Sequence, residues 1–480
     1  MSTVSVARQE FPMWIGGEPV RTKAVVTVNL PYDGTPVADV YQADESVIER
    51  AILAAEEGAR TMAALTQYER AELLERMRSL LARDAEEFAR LISSESGKPI
   101  REARIEAERS QQTLLASADA ARNLHGETIP LDAAPTGKGR WAMTVREPLG
   151  IIGAITPFNF PLNLAMHKIG PAFAGGNSVV HKPSDNTPLS ALRLGRLIQE
   201  AGAPAGAYNV VTGPGRVVGE RLVADERVAM ITFTGSVAVG ERIRSRMGLR
   251  RVTLELGNNS SLIVEPDADL DTLIPRCVTG SFSHSGQVCI SVQNVYLHEQ
   301  IAGEFISRFV EKTRALKVGH PLEDSTDISS LINEHEAERV ESWIGDAVAD
   351  GSRVLTGGAR RHATVEPAIV DDVPPHAEIS CKEVFGPVVA LHRYRNLANA
   401  IEQVNSSGYG LQVGVCTQDI RRAFGAARAL RFGGVILNDV PAYRVDHMPY
   451  GGMKKSGMGR EGPRYALEEM TELKLICWRM

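Results

Sequence analysis

Cysteine is scarce: five residues are scattered over a chain of 480. That number is too small for a disulfide framework. Cys277, Cys289, Cys381, Cys416 and Cys477 also lack the close Cys or His spacing of a structural zinc site, so no metal is expected. A reducing cytoplasm fits this usage best. Positive charge is in deficit, with a net charge of −6, which gives no support to a nucleic-acid partner. No apolar run reaches transmembrane length. Residues 1–10 lack the basic start and apolar core of a signal peptide, so no membrane partner is expected either. There is no internal repeat and no low-complexity segment. What remains, at 43% hydrophobic and 23% charged, has the composition of a soluble globular protein. Its length exceeds what one core supports, so two or three domains are expected.

Residues 11–41 alternate apolar residues with Gly, Pro and Asp turns and read as short strands and loops. Residues 44–65 carry apolar side chains at helical spacing: Val47, Ile48, Ala51, Ile52 and Ala55. Thr66 with Glu69 forms a capping-box pattern ahead of a second helix whose face is Leu73, Leu74, Met77, Leu80 and Leu81. A third helical stretch covers about residues 101–124. Residues 126–146 are rich in Pro, Gly and Thr and end in a strand-like Trp141-Ala142-Met143-Thr144-Val145. They predict an exposed hairpin whose edge a partner subunit would cover.

From Gly150 the pattern becomes a strict alternation. Short apolar strands at 151–155, 178–181, 208–211, 230–233 and 252–255 are separated by helical stretches such as 162–174 and 188–201. This predicts a doubly wound α/β fold with a parallel sheet. Ligands of such sheets bind beyond the carboxyl ends of the strands. Asn159, Lys182 and Ser236 fall just past such ends, and Glu255 falls at one. A second alternation starts at Gly257, with strands at 261–264 and 292–297 and helices at 268–282 and 300–316. It predicts a second α/β domain. The tail 472–477 reads as a last strand, expected to pair with the Trp141 hairpin of a neighbouring subunit.

No G-x-G-x-x-G fingerprint is present: Gly213-Pro-Gly215 is followed by Gly219, one residue late. Phe233-Thr234-Gly235-Ser236 precedes Gly240, but Glu241 follows, so this is no P-loop. A glycine turn from strand to helix still leaves N–H groups suited to a pyrophosphate. In His181-Lys182-Pro183-Ser184-Asp185, Lys182 suits a ribose hydroxyl. Asp185 would accept from a 2′-hydroxyl and repel a 2′-phosphate, which favours NAD over NADP. Gly286-Gln287-Val288-Cys289-Ile290 sets one cysteine among apolar neighbours. Alone, such a cysteine reads as packing. It becomes a candidate nucleophile when partners appear elsewhere in the chain.

Seven strings, in order, supply those partners: Thr156-Pro157-Phe158-Asn159-Phe160-Pro161, His181-Lys182-Pro183-Ser184, Phe233-Thr234-Gly235-Ser236, Leu254-Glu255-Leu256-Gly257, Gly286-Gln287-Val288-Cys289, Glu383-Val384-Phe385-Gly386-Pro387 and Gly451-Gly452-Met453-Lys454-Lys455-Ser456-Gly457. Over essentially the whole chain the sequence resembles the aldehyde dehydrogenase superfamily. The resemblance implies a dinucleotide-binding domain (1–124 and 147–256), a catalytic domain (257–467) and a small β oligomerisation domain (125–146 and 468–480). It also implies a homodimer or homotetramer. Cys289 is then the nucleophile, Asn159 the oxyanion donor and Glu255 the general base that hydrolyses the thioester. The resemblance places the cofactor, NAD with NADP possible, against Thr156, Pro157, Phe158, Lys182, Ser184, Asp185, Gly215, Phe233, Thr234, Gly235, Ser236, Leu256, Glu383 and Phe385. In one place the sequence departs from the family: Asn258 stands where a second glycine is usual.

Leu164, His167, Val288, Ile290, Arg444 and His447 are the expected substrate contacts, with Arg104 or Arg109 joining from the helix after Lys98-Pro99. Aromatics are few, at 5%, and this entrance is polar. Arg suits a carboxylate, phosphate or sulfonate because its planar fork pairs two oxygens. A short polar or anionic aldehyde of the semialdehyde, lactaldehyde or glyceraldehyde type is therefore expected. The alternatives are apolar aliphatic or aromatic aldehydes, or a CoA-acylating enzyme, which the family resemblance disfavours because such enzymes lack a glutamate at the Glu255 position. A thioesterase with His284 activating Cys289 and a catalytically silent paralogue are the remaining readings.

Overall fold

The computed structural model describes residues 9–480. The stretch 1–10, discussed above for a leader, lies outside the described residues except for its last two. Local signals build the first helices. Asp44 accepts the Val47 N–H and starts α1 (Glu45–Ala64). Thr66 and Glu69 close the expected capping box of α2 (Gln67–Arg83), pairing N–H groups that a helix start leaves orphaned. α3 (Ala85–Ser96), passed over in the sequence although Phe88, Ala89 and Ile92 fall at helical spacing, follows after the single residue Asp84 and stops at Gly97 with φ 72°. α4 (Ile100–Arg122) packs on α2 and α3.

Five parallel strands form the middle of the first sheet. Their spatial order is Arg251–Glu255, Val228–Thr234, Ile151–Ile155, Ser178–Lys182, Tyr208–Val210. Their apolar runs are buried on both faces, as a sheet covered by helices requires. The chain enters at 151–155 and winds outward through α5 (Asn163–Ala174) and α6 (Leu189–Glu200). It then returns to the other side, where α7 (Glu220–Ala224) and α8 (Val237–Arg246) flank the strand 228–234. The winding reverses between 151–155 and 228–234, and a ligand crevice belongs at such a switch point. Gly457–Met458 pairs antiparallel with the edge strand 251–255, beside Glu255. Leu467 and Met470 join the core of this sheet. A segment from the end of the chain therefore returns to the first half.

The second sheet has seven strands, of which Ala368–Asp371, Val388–Tyr394, Asn294–His298, Ser261–Val264, Gln412–Cys416 and Gly434–Leu437 run parallel. α9 (Leu270–Phe282) packs against it and leads to the Cys289 loop. A third sheet corrects one expectation. The tail strand Thr471–Arg479 pairs with Arg140–Pro148 of its own chain, from Thr471 opposite Pro148 to Arg479 opposite Arg140. The reason is positional: the last helix, Pro463–Glu469, packs on α5 and α4 and delivers the tail beside Pro148. Among the described residues no helix is long and apolar enough to cross a membrane.

Candidate active site

Cys289 lies where two cavities meet. Three consecutive left-handed residues precede it: His284, Ser285 and Gly286, with φ 48°, 55° and 74°. Gly286 has to be glycine here, because a Cβ would run into the Gly386 carbonyl. Side chains lock this unusual path. Glu102 of α4 accepts the His284 N–H at 2.7 Å, Ser285 Oγ donates to the Ser329 carbonyl at 2.8 Å, and Gln287 Oε1 accepts the Ile332 N–H at 2.9 Å. The loop sets Cys289 in a wall between a cavity of about 390 Å³ and one of about 480 Å³. Leu164, Arg444 and Tyr450 line both.

The larger cavity sits at the switch point and gathers the expected cofactor residues from successive strand ends. Thr156, Pro157, Phe158 and Asn159 follow one strand, and Lys182, Ser184 and Asp185 the next. Phe233, Thr234, Gly235 and Ser236 come from a third, Glu255 and Leu256 from a fourth, and Glu383 and Phe385 close the space from the second half. Gly215 opens onto an adjoining cavity of about 310 Å³ that shares Lys182, Phe233 and Ser236. Ser236 heads α8 without capping it by its side chain, which leaves first-turn N–H groups for an anion. Lys182 Nζ is held by Asp185 at 2.5 Å and by the Pro183 carbonyl at 3.0 Å. Burial pushes the Glu383 carboxyl up to about 7, against the Asn258 N–H that it accepts at 2.9 Å. A Cβ on Gly257 would collide with that carboxylate. A carboxylate, an ammonium and an uncapped helix start along one crevice fit the ribose hydroxyls and pyrophosphate of a dinucleotide.

Asn258 does not stand in for a left-handed glycine. Its φ is not positive, and its buried side chain donates to Ser260 Oγ at 2.5 Å and accepts the Leu411 N–H at 3.4 Å. The turn behind Glu255 is held by this side chain. Asn159 Nδ2 donates to the Gln287 carbonyl at 2.9 Å, tying it to the cysteine loop, and an amide nitrogen carries a second hydrogen to donate. Glu255 is buried with no partner for either oxygen. Burial first, and then the Glu461 carboxylate, raise it well above the usual carboxylate range. Burial also opposes ionisation of Glu461, but Lys168 at 2.9 Å, with His167 and Arg444, holds it down at about 2. The Cys289 thiol is pushed up to about 12 by burial, partly offset by the Tyr450 hydroxyl 2.8 Å away and by Arg444. His284 plays no part in this: neither of its buried ring nitrogens has a hydrogen-bond partner.

The aldehyde dehydrogenase family model matches residues 17–476. The chain belongs to this family. It is 46% identical to the 3-sulfolactaldehyde dehydrogenase of Priestia aryabhattai over 98% of both chains. Aldehyde dehydrogenase 21 from Physcomitrella patens, solved in complex with the reaction product succinate, superposes with a TM-score of 0.96, at 39% identity over 99% of both chains. The glyceraldehyde-3-phosphate dehydrogenase GapN of Methanocaldococcus jannaschii, complexed with NADP, gives a TM-score of 0.91 at 40% identity over 95% of this chain and 99% of that one. The enzyme is an NAD(P)-dependent oxidoreductase that oxidises aldehydes, and its doubly wound α/β architecture is that of the family.

The cavity of about 390 Å³ in this aldehyde dehydrogenase is the candidate aldehyde chamber. Leu164, Val288, Ile290 and Arg444 line it as expected. His167 does not: it is buried behind the wall, with Nε2 3.1 Å from Asp446 and 3.2 Å from Arg444. His447 does not either, because the loop turns Asp446 inward and leaves His447 exposed. Arg109 faces the chamber, whereas Arg104 pairs with Glu86 and Asp324 at the surface. Sequence reasoning missed Tyr450, Asp446 and Glu461. It also missed Glu102, Ile105 and Glu106, which line the chamber beside the expected Arg109 from one face of α4. Their signal was available: charged residues at helical spacing within a helix otherwise rich in buried alanines.

Proposed function

We propose that this aldehyde dehydrogenase oxidises a short aldehyde with an anionic tail, using Cys289 as nucleophile. The observation that carries the substrate class is the pair of arginines lining the chamber that Cys289 borders. Arg109 gives Nε and Nη2 to Asp446, at 3.1 and 2.8 Å, and among the described residues its Nη1 has no partner. Arg444 keeps a buried Nε without a partner. A carboxylate, sulfonate or phosphate on the tail would satisfy both. Three-carbon anionic aldehydes and succinate appear in the names of the relatives described above, which supports the same class.

In this reading the Cys289 thiolate adds to the aldehyde carbonyl carbon. Asn159 and the Cys289 backbone N–H hold the oxygen as it gains charge. NAD(P), when bound, supplies the acceptor for the hydride released as the adduct becomes a thioester. Lys182 and Glu383 would hold its riboses, and Asp185 beside Lys182 favours NAD. Glu255, once it has lost its proton, takes one from the water that hydrolyses the thioester. We further propose a homodimer or homotetramer in the cytoplasm, assembled through the sheet of residues 125–146 and 468–480, with cofactor and catalytic domains at 1–124 plus 147–256 and 257–467.

The test is a panel of aldehydes assayed for NAD(P)H formation. Succinate semialdehyde, lactaldehyde and a sulfonated or phosphorylated three-carbon aldehyde should exceed hexanal and benzaldehyde in kcat/KM. Arg109→Ala should raise KM for the anionic substrates more than for lactaldehyde. An advantage for hexanal or benzaldehyde, or no effect of Arg109→Ala on the anionic group, would remove the substrate assignment.

A further inference from the structure

We infer that Tyr450 is a further catalytic residue: its phenol hydroxyl donates a hydrogen bond to the sulfur of Cys289 and stabilises the attacking thiolate. The inference rests on Cys289 being the nucleophile. Tyr450 Oη lies 2.8 Å from Cys289 Sγ and, among the described residues, is the hydrogen-bond partner that sulfur has. The hydroxyl has little freedom to point elsewhere. The Tyr450 N–H and carbonyl both pair with Glu461, at 3.0 and 2.7 Å, and the ring packs with Ile290 and Leu411. Arg444 lies over the ring face, with its guanidinium carbon 3.7 Å from the centroid.

Chemistry decides the direction of the bond. With a thiol, either atom can donate. A thiolate can only accept, so Tyr450 becomes the donor when the sulfur ionises. The thiol proton passes to water, and Tyr450 neither gains nor loses one. Burial raises the phenol well above its usual range, against the opposing Arg444 cation, which keeps it a donor. The stacked Arg444 cation draws electron density from the ring and makes the O–H a better donor. The other charged groups facing the sulfur are Arg444, which favours the thiolate, and Glu383 and Glu255, which oppose it when ionised. A part-buried sulfur with two carboxyl groups nearby gains from a donor held this close.

The experiment is the pH dependence of iodoacetamide alkylation at Cys289, followed by peptide mass in the unmodified enzyme and in Tyr450→Phe. Phenylalanine keeps the ring beneath Arg444 and removes the hydroxyl alone. A hydrogen bond to a charged acceptor corresponds to about one pH unit or more. The midpoint of alkylation should therefore rise by about one unit, and the rate near neutrality should fall about tenfold. The thermal midpoint should stay unchanged, with kcat/KM for aldehyde falling in step with alkylation. Alkylation profiles that superimpose would overturn the role of Tyr450 while leaving Cys289 as nucleophile. Turnover surviving in Cys289→Ala would overturn the nucleophile itself, and the two failures are read from different variants.

Discussion

Glu255 and Glu461 face one crevice, but their pKa values are shifted in opposite directions. Lys168 pairs directly with Glu461, whereas Glu255 has burial and a neighbouring carboxylate against it. A base must be deprotonated to act, so hydrolysis of the thioester should rise with pH through a midpoint well above that of an ordinary carboxylate. Glu461→Gln removes the like charge and leaves Lys168 to favour ionised Glu255. The acid limb of kcat, where hydrolysis limits turnover, should then move to lower pH, and a limb that stays in place would separate the two groups. Contiguous strings singled out Cys289, Asn159 and Glu255, and the structure places all three on one cavity. Sequence reasoning failed at His447 and His167, because a loop that turns Asp446 inward reverses its neighbours and no periodicity reports that. Asn258 likewise reads as a backbone substitution, while the structure uses its side chain.

At the scale of elements, α4 organises both sides of the chemistry. Glu102 grips the loop before Cys289 through the His284 N–H. One turn later, Glu106 Oε1 accepts the Leu162 and Asn163 N–H groups, at 3.0 and 3.1 Å, at the start of α5 just after Asn159. Glu106 also pairs with the buried Lys98, whose ammonium sits 3.7 Å from the Phe160 ring centroid. Glu106→Ala strips three donors of their acceptor and leaves a buried ammonium unpaired, which costs about 3–5 kcal/mol. The thermal midpoint should fall and kcat should drop about tenfold or more through misplacement of Asn159, with Glu106→Gln recovering part of both. Equal kcat in Glu106→Ala at a temperature where it remains folded would confine Glu106 to stability. The alternating strands and helices from Gly150 onward were legible because their apolar runs are short and separated by turns. α3 was not, since it is joined to α2 through Asp84 with no break in helical composition. The polar stripe on α4 was passed over because charge at helical spacing ordinarily means a solvated face.

For the molecule as a whole, the sheet of Thr128–Ile129, Arg140–Pro148 and Thr471–Arg479 ends on the tail strand, whose outer edge is unpaired in the single chain and whose side chains are exposed. Leu473, Leu475 and Trp478 are 51%, 58% and 41% accessible in the single chain. A long apolar edge of this kind is an invitation to pair with another chain. On the proposed assembly through this sheet, Leu475→Glu should leave a single-chain mass in sedimentation at low concentration, and an oligomer that persists would move the interface elsewhere. The sequence identified this strand but not its partner, because pairing is set by where the helix Pro463–Glu469 docks and not by the strand's own residues. In the proposed reaction Cys289 carries the acyl group of an oxidised anionic aldehyde until water, activated by Glu255, removes it. The most direct measurement is rapid mixing of Glu255→Gln with NAD(P) and succinate semialdehyde, followed by peptide mass. One equivalent of NAD(P)H per chain and a stable acyl mass on the peptide containing Cys289 is the predicted result. Continued turnover at the unmodified rate with no adduct on Cys289 would contradict it.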